Sequence, residues 1–125
     1  AGLKVGHTAI LALAGDNPSG PLSAASFAGK SNRLAGLAWN PTALAAGLAM
    51  AVSPRRLPLP SGLATARGLT LLGAASAGVA AIDWLDRDAD MDVAVEMCRS
   101  SLADGFSAMI CERPEHVATV NRLLS

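Results

Sequence analysis

The sequence predicts a mostly α-helical membrane protein, with a hairpin of two small-residue-rich helices followed by a small amphipathic helix–strand–helix tail. Three features of the composition lead to this fold class. Hydrophobic residues make up 51% of the 125 residues, charged residues only 16%, and aromatic residues 3% with no Tyr. A soluble domain usually carries roughly 25% charged residues. Because Ala and Gly bury little area, we expect the alanine-rich segments to be buried in a bilayer and a partner assembly.

The charges divide the chain into a basic front and an acidic end. Residues 1–82 carry six basic residues and one acid, a net charge of +5, whereas residues 83–125 carry nine acids and four arginines, a net charge of −5. The basic residues flank apolar runs without interleaved aromatics, which argues against a nucleic-acid partner. We therefore predict an N-terminal extension with a short apolar segment and a turn-rich loop (1–33), a transmembrane helical hairpin (34–85) and an acidic soluble tail (86–125).

The N-terminal extension begins with an apolar run at residues 5–14, which is too short to span a bilayer. This run is typical of a buried strand or of a helix lying at an interface. Turn-forming residues follow at 15–21. We interpret residues 22–32 as a loop or a short helix.

The first predicted span covers residues 34–53, which contain no charge and are bounded by Arg33 and by Arg55 and Arg56. A helix of this length would cover the hydrocarbon core. Pro41 predicts a kink or a helix start, and a helix that starts there leaves too little chain to span. Three prolines in residues 53–61 then indicate a linker.

The second predicted span covers residues 68–85. In both spans small residues recur four positions apart, a spacing that lets membrane helices approach closely. Trp39 and Trp84 lie near the span ends, where interfacial indoles are favoured. A soluble pair of alanine-rich helices would use the same small residues. The predicted helix-packing residues are Ala43, Gly47, Ala51, Gly73, Ala77 and Ala81.

The tail has the pattern of a helix, a strand and a helix. Asp90 is a suitable N-cap and Gly105 a suitable terminator for the first helix. Residues 106–111 indicate a short strand, and Pro114 sits where a last helix begins. The strand needs a partner, which is either residues 5–13 or another subunit. The apolar residues predicted to dock the tail on a partner are Met91, Val95, Cys98, Leu102, Val117, Val120 and Leu124.

The strongest alternative is a dinucleotide-binding turn at residues 69–78. Gly73, Ala75 and Gly78 resemble the glycine-rich fingerprint if residues 69–72 form a strand and a helix follows. Glu96 would then lie near the position of a ribose-binding acid. However, Ala75 replaces the glycine that lets the backbone approach the pyrophosphate, and too little chain remains for a doubly wound sheet.

Other candidate patterns are incomplete. Residues 24–31 loosely match a phosphate-binding loop with Lys30 and Ser31 in the ligand positions, but Ala24 replaces the first glycine. The alternating aspartates at 86, 88, 90 and 92 lack the glycine and glutamate of a calcium loop. His7 and His116 have no ligand partners at metal-site spacing. Two cysteines, Cys98 and Cys111, are predicted to be buried thiols, with a disulfide left open.

The sequence therefore predicts a non-catalytic accessory or structural subunit of a larger membrane complex. Its partners would be the lipid bilayer and other subunits, with no cofactor, metal, nucleic acid or small-molecule substrate. The location would be an organellar or bacterial inner membrane. Two alternatives remain: a soluble homo-oligomeric interaction domain, and a small dinucleotide-binding α/β domain that uses residues 73–78.

Overall fold

The computed structural model describes residues 4–5, 7–50 and 58–125. Its elements alternate between strands and helices along the whole described chain. In chain order they are β1 (Ile10–Gly15), α1 (Ser19–Leu22), a 3₁₀ turn (Ala24–Phe27), β2 (Leu34–Trp39), α2 (Pro41–Gly47), α3 (Ser61–Ala77), β3 (Ala80–Trp84), α4 (Met91–Asp104), β4 (Ala108–Ile110) and α5 (Pro114–Leu124).

The four strands form one parallel sheet in which their spatial order is their order in the sequence. The fold class is therefore α/β, and the prediction of a mostly helical membrane protein is wrong. The sheet takes strands from all three regions into which the sequence was divided. Parallel neighbours require a crossover connection, and helices supply it between β2 and β3 and between β3 and β4.

The long helices pack on the same face of this sheet. Asp83 of β3 accepts hydrogen bonds from Arg67 of α3 and from Ser101 of α4. On the neighbouring strand, Trp39 packs against Leu63 of α3. Right-handed crossovers between successive parallel strands place every helix on one side. A sheet ordered in this way, with all its helices outside, has the architecture of one half of a closed eight-stranded (β/α) barrel.

Small residues allow α3 to lie close to its neighbours. A Cβ atom added to Gly73 would lie 2.7 Å from the Cβ of Ala24 and 3.0 Å from its backbone carbonyl carbon. Further along the core, Ala74 packs with Leu37 of β2 and Phe106. Gly73 is therefore needed for close approach, but its neighbour is the 3₁₀ turn and not the second helix of a hairpin.

In its described part, residues 34–50, the first predicted membrane span contains a strand joined to a short helix. Residues 34–39 form β2, and Asn40 ends the strand by accepting a hydrogen bond from the Ala43 backbone N–H at 3.1 Å. Pro41 is the first residue of α2, a position where its missing N–H is not needed. The run has no charge because the strand is buried between its neighbours, and such strands are apolar along their whole length.

The second predicted span is also divided. Its first ten residues belong to α3, which ends at Gly78 in the left-handed conformation, with φ of 69°. Its last residues form β3. Within the described parts of the chain, no helix is long and apolar enough to cross a membrane.

The predicted helix-packing residues do not form a common seam. Ala43 and Gly47 lie in α2, Gly73 and Ala77 lie in α3, and Ala81 lies in β3. Ala51 lies outside the described residues. Small residues thus allow a helix to pack closely on a sheet here. A membrane hairpin would need small residues for the same reason, because large side chains would hold its two helices apart.

The tail contains the predicted helix, strand and helix, but they are part of the sheet layer and not a docking appendage. Asp90 and Gly105 cap α4 as predicted. The strand β4 pairs with β3, which neither of the two predicted partners includes. Of the predicted docking residues, Cys98 and Val120 are buried in the core between α4 and α5 with Leu124 packed beside them, Val95 is half-buried, and Met91, Leu102 and Val117 are exposed.

Two glycines of α3 give opposite predictions. Gly73→Ala should lower the free energy of unfolding by about 1–3 kcal/mol, because the added methyl group overpacks against Ala24. Gly68→Ala should raise it by about 0.5–1 kcal/mol, because nothing lies within 4 Å of the new atom and alanine favours helix. Urea unfolding of both variants measures the difference. Equal effects would contradict the close approach of α3 to the 3₁₀ turn.

Candidate functional site

A cavity of about 320 Å³ opens at the carboxyl ends of β2 and β3. Ligand-binding clefts in proteins begin at about this size. The carboxyl ends of parallel strands are also where α/β proteins bind their ligands. The residues that line the cavity are Trp39, Pro41, Thr42, Leu59, Arg67, Asp83, Trp84, Asp86, Arg87, Glu96, Met97, Ser100, Ser101 and Glu112.

The polar centre of the cavity wall is Asp83, which is only 3% exposed. Trp39 Nε1 donates to Asp83 Oδ1 at 2.7 Å. Arg67 donates to Asp83 Oδ2 through Nε at 3.0 Å and Nη2 at 2.7 Å, and Ser101 Oγ donates to the same oxygen at 2.5 Å. The Trp84 backbone N–H also donates to Oδ1 at 2.8 Å. Asp83 thus joins β2, β3, α3 and α4.

The Arg67 side chain, like the Asp83 carboxylate, has several contacts within the fold. Its Nη1 donates to Asp104 Oδ2 at 2.7 Å, and the guanidinium carbon lies 4.5 Å from the centre of the Phe106 ring. Burial of the guanidinium lowers its pKa, but the hydrogen bonds and negative charge of Asp83 and Asp104 outweigh this, so the net pKa is raised. Arg67 is therefore a permanent cation whose donors are used within the fold.

The other charged residues of the lining are mostly acidic. Among the described residues, Asp86, Glu96 and Glu112 line the cavity, and Arg87 is the cation that lines it besides Arg67. Trp84 Nε1 donates to Glu112 Oε2 at 3.3 Å. Arg87 is exposed, and among the described residues it has no ion-pair partner. Among the described lining residues, Arg87 is thus the cation that can pair with a ligand without breaking an ion pair within the fold.

The loop that carries Arg87 is anchored by α5. His116 is 2% exposed, and its Nε2 lies 3.0 Å from the carbonyl oxygen of Ala89, which fixes the proton on Nε2. Its Nδ1 is buried without a hydrogen-bond partner among the described groups. Thr119 Oγ1 donates to the sulfur of Met91 at 3.0 Å. These contacts tie the start of α4 to α5 and so position the loop at residues 85–90.

The residues of the predicted dinucleotide turn lie far from this arrangement. Residues 69–72 are part of α3 and not a strand, and Gly73 and Ala75 follow them in the same helix. Gly78 is the C-cap of α3. A pyrophosphate binds at a helix N-terminus, so the interpretation as a dinucleotide fingerprint is wrong. Glu96 lies on α4 and lines the cavity instead.

The other sequence candidates are also separate from the polar centre. Ala24 lies in the 3₁₀ turn, while Lys30 and Ser31 are exposed after it. Asp86 accepts from the Asp88 backbone N–H at 3.0 Å, and Asp90 caps α4. His7 is exposed. Cys98 and Cys111 are free thiols, and burial raises the pKa of each.

Comparison with known proteins finds similar structures among citrate lyase beta subunits. The citrate lyase beta subunit of Mycobacterium tuberculosis matches with a TM-score of 0.81 and 25% identity, over 97% of this chain and 54% of that one. RipC from Yersinia pestis matches with a TM-score of 0.80 and 25% identity, over 94% of this chain and 52% of that one. No protein-family model matches the sequence, and no curated protein gives a significant match.

A third structure carries ligands. It is the M. tuberculosis citrate lyase beta subunit complexed with oxaloacetate and magnesium, with a TM-score of 0.76 and 26% identity over 87% of this chain and 49% of that one. The present chain spans about half the length of the structures that it matches.

These comparisons correct the functional predictions. The structural neighbours are citrate lyase beta subunits and RipC, and not accessory subunits of membrane complexes, so the predicted non-catalytic role is wrong. The expectation of lipid and membrane-subunit partners without a small-molecule substrate is contradicted by neighbours solved with oxaloacetate. The predicted inner-membrane location rested on the two spans, and no described helix can form one.

The described residues do not by themselves form a magnesium site. Within residues 4–5, 7–50 and 58–125, no three or more Asp, Glu, His or Cys side chains are grouped so that they could hold a metal ion. Asp83 already accepts hydrogen bonds from four residues. Because Mg²⁺ demands near-octahedral oxygen coordination, a metal here would need oxygen ligands beyond those that the described side chains bring together.

Two adjacent serines test the role of the Asp83 network. Ser101→Ala should lower the free energy of unfolding by about 1.5–3 kcal/mol, because it removes a buried donor to a charged group. Ser100→Ala, at an exposed position one residue earlier in α4, should change it by less than about 0.5 kcal/mol. Denaturant unfolding measures both values, and a similar small loss in each variant would show that Asp83 does not need the Ser101 hydroxyl.

Proposed function

We propose that this chain forms half of an enzyme barrel of the citrate lyase beta-subunit type, and that its cavity binds a small organic carboxylate. The observation that supports this most strongly is a match over 97% of the chain to such a subunit, with a TM-score of 0.81. The cavity supports it independently, because it lies at the carboxyl ends of the strands, where barrel enzymes bind substrate.

Arg87 is the residue best suited to bind the carboxylate. A guanidinium presents two parallel N–H donors that match the two oxygens of a carboxylate. Arg67 is the other arginine among the described lining residues, but its Nε and both terminal nitrogens already donate to Asp83 and Asp104. Arg87 has no such ion pair among the described residues and projects from a loop held by His116. In this proposal Arg87 binds the substrate, while Arg67 and Asp83 hold the cavity wall.

The acidic lining determines how such a ligand would bind. The pair of Arg67 and Asp83 is neutral as a unit, so among the described lining residues the two carboxylates of Glu96 and Glu112 outweigh the single positive charge of Arg87. A free dicarboxylate would be repelled by this field. A divalent cation that accompanies the ligand would offset the repulsion. Binding of a dicarboxylate should therefore be tighter in the presence of Mg²⁺ than in its absence.

Thermal unfolding with oxaloacetate and with acetoacetate, each with and without Mg²⁺, tests this function. In the wild-type chain, oxaloacetate with Mg²⁺ should raise Tm by about 3–8 °C at ten times its dissociation constant. Arg87→Gln should abolish most of this shift while leaving the Tm of the ligand-free protein unchanged, because Arg87 is exposed.

The matched control is Arg99→Gln. Arg99 is also exposed and lies on α4, but it does not line the cavity, so its loss should leave the ligand-induced shift intact. Absence of any shift with either acid in the wild-type chain would contradict the proposed function. An equal loss in the Arg87 and Arg99 variants would indicate general charge attraction and would contradict the assignment of the site.

A further inference from the structure

The cavity lies between two separate hydrophobic clusters of the core. On one side, Leu59 packs against the cluster that contains Trp39, Leu44 and Leu63 and joins β2, α2 and α3. On the other side, Met97 packs against the cluster between α4 and α5. Leu59 and Met97 are both half-buried, and both line the cavity. Two apolar walls that belong to different parts of the core therefore meet at this cavity.

The polar groups between these walls are already paired with one another. The Asp83 carboxylate accepts hydrogen bonds from Trp39, Arg67, Ser101 and the Trp84 backbone N–H. Three nitrogens of Arg67 donate to carboxylates of the fold. A charged group of a ligand placed over this pair would have to break one of these bonds. An apolar group placed there leaves them intact and covers the apolar walls, so this part of the cavity favours an apolar group.

The cavity is also larger than an acid of the size of oxaloacetate requires. Its volume of about 320 Å³ corresponds to about ten water molecules at about 30 Å³ each. Oxaloacetate has roughly nine non-hydrogen atoms, and covalent bonds of about 1.5 Å hold them much closer together than separate waters. A compact acid bound at Arg87 would therefore leave part of the cavity unfilled.

The charges of the lining favour a single carboxylate. Among the described lining residues, Arg87 is the cation without an ion pair, while Glu96 and Glu112 are acidic. One carboxylate of a ligand can pair with Arg87, but a second would meet the negative charge of the glutamates. An apolar chain in its place meets no such repulsion.

We propose that the ligand of this cavity is a monocarboxylate with an apolar chain, and that Leu59 and Met97 determine this specificity. The inference rests on the proposed function, because Arg87 binds the carboxylate in both. The chain lies between Leu59 and Met97, over the paired side chains of Arg67 and Asp83. Oxaloacetate fills only the charged part of the same cavity.

A series of unbranched 2-oxo acids from pyruvate to 2-oxooctanoate, at a fixed Mg²⁺ concentration, tests this inference. All members share one head group and differ only in the length of the apolar chain. The two tryptophans of the chain, Trp39 and Trp84, both line the cavity, so quenching of their fluorescence measures binding there. The affinity should rise about two- to fourfold with each methylene group, which amounts to at least about 30-fold from pyruvate to 2-oxooctanoate.

Two variants place a polar amide in the apolar walls. Met97→Gln and Leu59→Gln should each lower the affinity for 2-oxooctanoate by about 10-fold, because the chain would bury an amide without a hydrogen-bond partner. The affinity for pyruvate should change by less than about twofold, because its methyl group does not reach these walls.

The matched control is Met109→Gln. Met109 is also half-buried and packs against the same cluster as Met97, but it does not line the cavity. Its affinities should therefore follow those of the wild-type chain along the whole series. Circular dichroism establishes that each variant is folded, and the wild-type series and Leu59→Gln decide the inference even where Met109→Gln does not fold.

Three results would overturn the apolar chain as the group that the cavity selects. These are equal affinities along the wild-type series, a full gain that survives in both Met97→Gln and Leu59→Gln, and an equal loss of the gain in Met109→Gln. Each of them leaves the proposed function standing, provided that pyruvate binds and that Arg87→Gln weakens its binding. Failure of every acid to bind would contradict the proposed function and this inference together.

Discussion

The arrangement of the sheet and its helices depends on how one buried carboxylate is neutralised. Asp83 receives donors from Trp39 on the neighbouring strand, from Arg67 on the preceding helix and from Ser101 on the following helix. An unpaired buried charge costs several kcal/mol, so each donor must be in place when the core closes. This requirement fixes β2, β3, α3 and α4 relative to one another at the carboxyl end of the sheet, where the cavity opens. Half of the buried hydrophobic residues described are alanines, and because small side chains pack against one another in many ways, the core alone would specify these positions less narrowly.

The same network explains the division of roles within the cavity. Because Asp83 and Arg67 are saturated by contacts inside the fold, neither is free to act on a ligand without loss of stability. The residues available for recognition lie on the loop after β3, which His116 holds through the Ala89 carbonyl. The cavity therefore combines a rigid wall with a more exposed recognition loop, as binding sites on parallel sheets commonly do.

Local signals in the sequence predicted several helix ends correctly. They did not predict how elements that are distant in the chain are arranged in the sheet. The caps at Asp90 and Gly105 and the helix start at Pro114 are short-range patterns, and the structure contains them. The uncharged run at 34–53 resembles a membrane span because the buried strand β2 and the short helix α2 are both apolar, and the uncharged residues after α2 extend the run to the length of a span. Asn40 followed by Pro41 was the signal that divides them, since Asn caps a helix and Pro starts one. The polar network could not be predicted, because Trp39 and Asp83 lie 44 residues apart and no local pattern links them. An aspartate in the middle of the apolar residues 79–85 was the one indication that a buried partner was required.

The central claim is that the pair of Asp83 and Arg67 organises the carboxyl end of the sheet, and a double-mutant cycle tests it most directly. Asp83→Asn retains an acceptor oxygen for Trp39, while the Ser101 hydroxyl can turn to accept from the new amide N–H, and Arg67→Met retains packing against Phe106. Arg67→Met leaves the buried Asp83 carboxylate without its cation, and Asp83→Asn leaves Arg67 with Asp104 as its remaining ion-pair partner, whereas the double variant removes both charges of the pair. Denaturant unfolding should show that the double variant is more stable than the sum of the single losses predicts, with a coupling of at least about 1 kcal/mol. Additive losses would mean that the two charges do not depend on one another, and would contradict the account of the fold and of the cavity wall.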